Sequence, residues 1–159
     1  MKEIYLVNNK GKVFVDNEDF EYLNTFRWIL LKMKRSRVLY AQAYINKKMT
    51  SMHSLIMNTP KGYEVDHIDS NGLNNQKRNL RLCNHIQNNT NVSKHNGKYS
   101  SKYKGVSWNP VSNTWRARIT VNKKLISIGS FMTEKEAAIA YNKASIQYHK
   151  EYANINYIE

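Results

Sequence analysis

The sequence predicts an α+β fold in which a small N-terminal β-rich segment runs into a strand–strand–helix core, followed by a three-stranded antiparallel sheet packed on one helix. Three patterns predict this architecture. Short alternating apolar segments fill residues 1–50, and two short strands with a polar helix follow between residues 63 and 91. Three alternating strands and a long helix then occupy the chain after residue 103.

The first fifty residues alternate as short strands do, in the segments EIYLV, KVFV, FRWILL and RVLYAQAYI. The acidic turn DNEDFEYL is expected to begin a short helix, with Asp16 or Asn17 as its N-cap. The segment SMHSLIM, residues 51–57, predicts a second short helix that Asn58 and Pro60 end.

Two further strands are predicted at YEVDHI and NLRLC, separated by an asparagine-rich loop. A helix from about residue 84 to residue 91 follows them. Ile86 is nearly its only large apolar residue, while Asn84, Asn88 and Asn91 share one face. Packing alone does not explain such a helix, so we expect it to present polar groups for function.

The polar, lysine-rich stretch SKHNGKYSSKYK marks the expected domain boundary. We place the first domain at residues 1–92, with the strand–strand–helix core at about 51–92. A basic linker is expected at residues 93–102, and the second domain at residues 103–159.

The second domain opens with the strand segment YKGVSWNP and continues with the alternating strands NTWRARITV and KKLISIGSF. Asn122 and Lys123 predict the hairpin turn between the last two strands. Thr133 and Glu136 fit a capping box at the start of the helix TEKEAAIAYNKASIQYH. The helix stripe expected to cover the sheet consists of Ala137, Tyr141, Ala144 and Tyr148.

The composition favours a polyanionic partner. Lys and Arg number 25 against 12 Asp and Glu, which gives a net charge of +13 spread along the chain. The single cysteine, Cys83, excludes an internal disulfide and a cysteine-rich zinc site. No apolar run approaches the roughly 20 residues that span a bilayer, and the N-terminus lacks a signal-peptide core. We therefore expect a soluble protein of a reducing compartment, with no membrane partner, in the cytoplasm of a bacterial or phage-infected cell.

An acid and a histidine, Asp66 and His67, sit side by side, and after Asp69 no carboxylate appears until Glu134. Phosphodiester hydrolysis needs a base for the attacking water and a cation that stabilises the negative charge of the transition state. One imidazole and one divalent cation held by hard oxygen ligands meet both needs. We therefore expect His67 to act as the base, and Asp66 and Asn88 to ligate the cation.

The segments VDHID and NNQKRNLRL, with an asparagine nine positions after Asn79, resemble the HNH, or ββα-metal, nuclease family in its phage and intron homing-endonuclease branch. The resemblance implies that His67 is the general base and that Asp66 and Asn88 bind the metal. It also implies that Asn79 holds the loop and orients the histidine. We expect Mg²⁺ as the cofactor, with Mn²⁺ able to substitute, and no zinc.

Other interpretations of this region are weaker. A strand-end turn with a satisfied histidine explains Asp66 and His67 alone, but not the polar helix beside an acid-free stretch. The segment HIDSNGLNNQKR follows an EF-hand pattern in part, but His67 and Arg78 stand where that loop requires carboxylates. As rival bases, His53 is expected to pack against the active-site strand, and His85 to contact DNA or solvent.

The chain from Tyr103 to about Tyr157 is similar to the Apetala-type (ethylene-response-factor-like) DNA-binding domain, through YKGVSW, WRARI and IGSFMTEKEAAIAY. The resemblance implies that a three-stranded sheet enters the DNA major groove while the helix packs behind it. Lys135 departs from the family pattern, where a glutamate is usual.

Strand periodicity independently gives the second domain an outward face. On the middle strand, alternate apolar residues from Trp115 to Val121 face the helix and leave Arg116, Arg118 and Thr120 outward. Basic residues near the predicted active site are expected to contact phosphates, although a solvated face would explain each of them singly. The candidate DNA-contacting residues are Lys77, Arg78, Arg81, Lys94, Lys98, Lys102, Lys104, Ser107, Asn109, Arg116, Arg118, Thr120, Lys123, Lys124 and Ser127.

These patterns predict a metal-dependent endonuclease that acts on double-stranded DNA and is targeted by its C-terminal sheet. One motif per chain predicts a nick in one strand, and a double-strand cut requires a homodimer or two visits. The alternative is a non-catalytic, sequence-specific DNA-binding regulator with a degenerate nuclease module. RNA is a weaker candidate, because a sheet shaped for a wide groove does not fit the deep, narrow groove of A-form RNA.

Overall fold

The structure is a computed structural model that describes residues 1–7, 11–32, 38–90 and 99–158. The chain divides into two compact units, Met1–Asn88 and Asn89–Glu159. Both units combine antiparallel strands with helices, so the predicted α+β class is confirmed. No helix in the described part of the chain has the length and apolar character needed to cross a membrane.

The first unit begins with a two-stranded antiparallel sheet, a helix, a three-stranded antiparallel sheet and a second helix. Its buried cluster includes Leu23, Trp28 and Met52, and the Trp28 indole donates a hydrogen bond of 2.7 Å to the Leu23 carbonyl oxygen. The elements are β1 (Lys2–Tyr5), β2 (Lys12–Val15), α1 (Asn17–Leu23), β3 (Ile29–Lys32), β4 (Leu39–Ile45), β5 (Lys48–Ser51) and α2 (Met52–Ile56).

Strand β5 was not predicted from the sequence. It pairs with β4 through a two-residue turn at Asn46 and Lys47, whose φ angles of 48° and 63° are those of a type I′ hairpin. Asn favours such angles but Lys does not, so the dipeptide carries a weak turn signal.

The strand–strand–helix core follows, with β6 (Glu64–His67) antiparallel to β7 (Leu80–Cys83) and α3 (His85–Thr90) after them. The register sets Asp66 opposite Arg81 and His67 opposite Leu80. The loop between the strands ends in a short 3-10 turn, Lys77–Asn79. This core therefore forms where the alternation and the asparagine-rich loop predicted it.

The loop between β6 and β7 packs against the N-terminal elements at two places. A parallel bridge joins Asn74 to Phe14 of β2. On another side, Gly72 lies so close to β4 that a Cβ atom placed there would be 2.3 Å from the Leu39 carbonyl oxygen. The N-terminal segment and the loop thus share one packed unit.

The second unit is a three-stranded antiparallel sheet covered by a helix, and its strands lie side by side in chain order. The predicted turn at Asn122 and Lys123 has φ angles of 48° and 64°, and the capping box of Thr133 and Glu136 is present. Tyr148 was expected in the covering stripe but is exposed, and Ser145 is buried instead. The elements are β8 (Val106–Asn109), β9 (Thr114–Val121), β10 (Lys124–Phe131) and α4 (Glu134–His149).

Most of the predicted linker, including Lys94 and Lys98, lies outside the described residues. Its last residues make contacts within the second unit. The Ser100 hydroxyl accepts a hydrogen bond from the Trp108 backbone N–H at 2.9 Å, and the Lys102 backbone N–H donates to Glu134 at 3.2 Å. Residues 100–102 therefore belong to the folded second unit.

Replacing Gly72 by alanine should disturb the contact between the loop and β4. The new methyl group would overlap the Leu39 carbonyl oxygen, and overpacking of this kind costs about 1–3 kcal/mol of unfolding free energy. Hydrogen-exchange mass spectrometry should show faster exchange in β4 and in the loop. In the control Gly129→Ala, which lies in the second unit, the methyl group meets only the Phe131 side chain, at 3.2 Å, and β4 should exchange as in the parent. Equal exchange in the Gly72→Ala variant and the parent would contradict the close approach.

Candidate active site and nucleic-acid interface

Asp66 and His67 occupy successive positions on β6 and are both buried, with 7% and 4% of their surface exposed. Because side chains alternate along a strand, they point to opposite sides of the β6–β7 pair. The Asp66 carboxylate accepts two hydrogen bonds from Arg81, from Nε at 2.9 Å and from Nη2 at 2.6 Å, both on Oδ2. The carboxylate is therefore oriented by a cation on the neighbouring strand.

Arg81 was predicted to contact phosphate, which stays a prediction, and the structure places it beside Asp66. Its side chain is only 14% exposed and forms a largely buried ion pair. The sequence could not show this pairing, because it depends on the register of β6 against β7. Arg81 offsets the charge of the carboxylate that was predicted to bind metal.

Asn88 lies next to the same face of β6. Its Nδ2 donates a hydrogen bond of 2.5 Å to Oε2 of Glu64, and Glu64 shares the strand face of Asp66, two residues away. The other carboxylate oxygen of Glu64 lies 3.0 Å from Nδ1 of the exposed His85. The Asn88 hydrogen bond holds the pKa of Glu64 below its usual value.

Glu64 is a candidate site residue that was not predicted from the sequence. Its signal is the spacing, because a carboxylate two positions before Asp66 on a strand must share its face.

The donor set on this face fits a hard divalent cation. Carboxylate oxygens of Asp66 and Glu64 and the amide oxygen of Asn88 are the ligand types that Mg²⁺ and Mn²⁺ prefer. The hydrogen bond from Asn88 to Glu64 uses the amide nitrogen, so it does not engage the amide oxygen. No group of three or more His, Cys, Asp or Glu side chains that could hold a metal occurs within the described ranges.

The His67 imidazole is enclosed by three side chains. Its Nε2 lies 3.4 Å from Oδ1 of Asn75, and its ring centroid lies 5.8 Å from that of Tyr40 and 5.0 Å from that of His53. Burial lowers the pKa of His67. The imidazole is therefore neutral at neutral pH, which is the state that a general base requires.

His53 was expected to pack against the active-site strand, and its ring stands edge-on to that of His67. Burial, with a smaller effect of the neighbouring His67, lowers the pKa of His53 to about 3. Its Nδ1 is buried and has no hydrogen-bond partner within the described part of the chain. His53 is thus a neutral packing partner for the imidazole of His67.

Asn79 closes the loop between β6 and β7. Its side-chain oxygen accepts a hydrogen bond from the Asp69 backbone N–H at 3.1 Å, and its side-chain nitrogen donates to the Asp69 carboxylate and to the Asn74 carbonyl oxygen. Its own carbonyl oxygen accepts from the Ile68 N–H at 2.9 Å. These bonds hold the loop in the manner expected of Asn79.

Asn75 is the neighbour of His67 that the sequence analysis did not select. It is fully buried, and its side-chain nitrogen donates to the Gly72 carbonyl oxygen at 3.4 Å. The pair Asn74–Asn75 was part of the recognised motif, but loop asparagines are common, and only the folded loop shows which one reaches the imidazole.

The two remaining basic residues of this loop differ in their surroundings. The Lys77 ammonium lies 2.5 Å from Glu18 and 3.1 Å from Asp19, two acids of the N-terminal helix α1. Arg78 is exposed, with Nη2 3.4 Å from Oε1 of Gln76. Of the two, Arg78 is the better placed to contact a phosphate, and its contact with DNA stays a prediction.

The outward face of the second sheet carries arginines flanked by hydroxyl groups. Arg116 on β9 pairs in register with Ser107 on β8 and with Ser130 on β10, and Arg118 pairs with Ser127. Ser130 was not predicted, because the register shifts between Ser127 and Gly129 and moves the next outward position along β10. Thr120 at the end of β9 and Lys123 and Lys124 at the hairpin turn are exposed, as expected.

Two residues of the second unit that were predicted to contact DNA are less exposed than expected. Asn109 was expected on an exposed face but is only 6% exposed, because its side chain donates a hydrogen bond to Ser112 in the β8–β9 turn. Lys104 is half-buried, and burial lowers its pKa to about 8. Lys102 is exposed, with its ammonium 5.3 Å from the ring centre of Tyr103.

Trp108 of β8 is partly open to solvent, with 37% of its surface exposed. Its ring contacts that of Trp115, its register partner, edge to face at 5.2 Å. Trp108 lies on β8, an edge strand, which leaves one side of the ring open to solvent.

Comparisons with known proteins agree with both units. Residues 58–90 match the HNH endonuclease family, and residues 101–151 match the AP2 domain family. The chain is 32% identical over 153 residues to the HNH endonuclease L560 of Acanthamoeba polyphaga mimivirus, which covers 92% of this chain and 75% of that protein. It is 40% identical over 65 residues to Protein 3.8 of Escherichia phage T7, which covers 41% of this chain and 53% of that protein. No solved structure matches the chain.

The buried histidines predict that acid destabilises the first unit. Burial lowers the pKa of His53 and His67, so both bind protons more weakly in the folded chain than in the unfolded chain. Protonation below about pH 6.5 therefore favours the unfolded state. The free energy of unfolding should be level above about pH 7 and should fall as the pH drops from about 6.5 towards about 3, the lowered pKa of His53. Urea unfolding at several pH values measures it.

A substitution tests the assignment to these imidazoles. His53→Leu should flatten the pH dependence, because it removes the group whose pKa is lowered to about 3. A parent protein whose stability does not change over this pH range would contradict the burial of the two imidazoles.

Proposed function

Because the chain belongs to the HNH endonuclease family, we propose that it hydrolyses phosphodiester bonds of double-stranded DNA with a single divalent cation and with His67 as general base. One observation carries the proposal. Strand β6 presents a carboxylate at Asp66 and a neutral imidazole at His67, and Asn88 is hydrogen-bonded to the same strand through Glu64.

His67 is suited to take a proton from the attacking water. If the Nε2–H group donates to Oδ1 of Asn75, the lone pair of the imidazole is on Nδ1. The rings of Tyr40 and His53 limit rotation of the imidazole. Orientation and a neutral charge state are the two properties that a histidine base needs.

Asp66 and Asn88 would hold the cation, with Glu64 as a further oxygen donor on the same face. When bound, Mg²⁺, or Mn²⁺ in its place, supplies Lewis-acid stabilisation of the attacked phosphate. Arg81 orients the Asp66 carboxylate through two hydrogen bonds.

The second unit supports DNA targeting. Its outward sheet face carries Arg116 and Arg118 between serine side chains, and such a ribbon fits the major groove. Short hydroxyl donors predict phosphate contacts with modest base readout. Tethering the nuclease to this sheet raises its concentration near a bound site. A chain with one HNH motif nicks one strand, and a homodimer would be needed to cut both strands in a single binding event.

The non-catalytic regulator is the competing function. The Asp66–Arg81 ion pair favours it, because a guanidinium already occupies one oxygen of the predicted metal ligand. The two functions differ in whether bound DNA is cut when a divalent cation is present.

A plasmid assay separates them. Supercoiled DNA incubated with the protein and Mg²⁺ should convert to open circles, and a chelator should stop the conversion. His67→Gln should lower the rate by about 10²–10⁴-fold, the range for loss of a general base. His149→Gln removes a histidine of the second unit and should cut like the parent. DNA binding by the parent without metal-dependent cutting would establish the regulator instead.

Arg116 tests the role of the sheet. Arg116→Gln should weaken DNA binding about tenfold and reduce the slope of log K against log salt by about one, because one phosphate contact is lost. Lys135→Gln removes an equal charge from the exposed surface of α4, and its slope should match that of the parent. Equal losses in the two variants would show that net charge, not the sheet face, determines binding.

A further inference from the structure

We propose that β2, β4 and α2, which precede the matched nuclease motif, complete the active site, and that Asp16 is a positioning residue for His67. Asp16 acts by holding the loop segment 73–77, which carries Asn75 against the imidazole. The inference rests on the proposed role of His67 and adds a residue outside the motif to it.

The backbone of the loop continues the edge of β2. The Phe14 N–H donates to the Leu73 carbonyl oxygen at 2.9 Å, and the Asn75 N–H donates to the Phe14 carbonyl oxygen at 2.7 Å. These two bonds form the parallel bridge between Phe14 and Asn74. The position of Asn75 is therefore set by a strand far from it in sequence.

Asp16 directly follows β2 and fastens the next part of the loop. Its Oδ2 accepts a hydrogen bond from the Lys77 backbone N–H at 2.8 Å, and its Oδ1 accepts from Nε2 of Gln76 at 3.3 Å. Gln76 is buried, and its carbonyl oxygen accepts from the Asn79 N–H at 2.8 Å. Asp16 thus holds the loop just before Asn79 closes it.

Asp16 makes these contacts with the loop from the N-terminal end of a helix. It is the N-cap residue of α1, where an aspartate usually accepts a hydrogen bond from the first turn of its own helix. Here its side chain makes no such bond. Both carboxylate oxygens accept hydrogen bonds from the loop instead. Contacts with residues far along the chain therefore replace the helix-capping role that the sequence predicted.

The other two side chains that enclose His67 also precede the matched motif. Tyr40 lies on β4 and His53 on α2, and the rings of both contact the imidazole. The close approach of Gly72 to Leu39 brings the loop against β4. The matched motif, residues 58–90, therefore contains the imidazole but lacks Tyr40, His53 and Asp16.

A general base is sensitive to small displacements. A catalytic group must be held within about 0.5 Å of its productive position, and an error of about 1 Å can cost about 100-fold in rate. Asn75 lies against the His67 ring, with its Oδ1 3.4 Å from Nε2 of the imidazole. Loosening the loop that carries Asn75 should therefore affect the chemical step more than DNA binding.

The test compares three substitutions in the full chain. Asp16→Ser keeps a good N-cap for α1 but is too short to reach Lys77, and it should lower kcat for plasmid nicking at least tenfold, with KM and DNA affinity within twofold of the parent. Asp16→Asn retains an acceptor for the Lys77 N–H and should recover most of the rate. Glu18→Gln removes an acid of the same turn that contacts only the Lys77 side chain among the described residues, and should behave like the parent.

Several outcomes would overturn the inference. The first is a kcat in Asp16→Ser equal to that of the parent, and the second is a change in KM with kcat unchanged. The third is a fall in kcat in Asp16→Asn as large as that in Asp16→Ser, which would show that the charge of Asp16 matters and not its hydrogen bonds. If Asp16→Ser does not fold, Gln76→Met removes the Gln76 amide that donates to Asp16. This variant should also lower kcat with KM and DNA affinity close to those of the parent.

An independent readout separates this inference from the nuclease proposal. Amide exchange at Lys77 and Asn75 should accelerate in Asp16→Ser, and the imidazole NMR signals of His67 should move, without metal or DNA present. A parent that never cuts DNA would defeat the nuclease proposal alone. Unchanged His67 signals in Asp16→Ser would defeat the positioning role, whatever the parent does.

Discussion

Closure of the β6–β7 loop by Asn79 is the constraint on which the candidate active site depends. The two strands have four residues each, and so short a pair is marginally stable by itself. The Asn79 amide bonds to both Asp69 and the Asn74 carbonyl oxygen, and each buried hydrogen bond of this type contributes about 1 kcal/mol. By closing the loop, Asn79 maintains the register that sets Asp66 opposite Arg81. A slip of one residue would turn Asp66 to the face that His67 now occupies.

Several acids of the first unit make ion pairs or hydrogen bonds close to the candidate active site. The chain has an excess of cations, yet several acids of the first unit contact loop residues or β7: Asp66 pairs with Arg81, Glu18 pairs with Lys77, and Asp16 accepts from the Lys77 backbone. These contacts orient groups near the proposed site. The outward sheet face of the second unit carries its arginines beside serines, a composition suited to phosphate.

Much of the fold was predictable because local patterns agree with the tertiary structure. Alternation placed β6, β7 and the three strands of the second sheet, and the capping box of Thr133 and Glu136 began α4 as expected. The errors share a cause. Burial of Asn109 by the Ser112 turn, the ion pair of Arg81 and the shifted position of Ser130 each depend on a partner residue or a register that periodicity does not contain.

The sequence by itself determined the α+β class, both family resemblances and the identity of Asp66, His67, Asn79 and Asn88 as candidates, because residue types at fixed spacings carry that information. The tertiary structure alone decided which groups surround them. Asn75 lies against the imidazole, Glu64 accepts a hydrogen bond from Asn88, and Asp16 accepts a hydrogen bond from the loop and not from its own helix. The contact of Asp16 with Lys77 joins residues 61 positions apart, and the packing of β2 against the loop brings them within hydrogen-bonding distance.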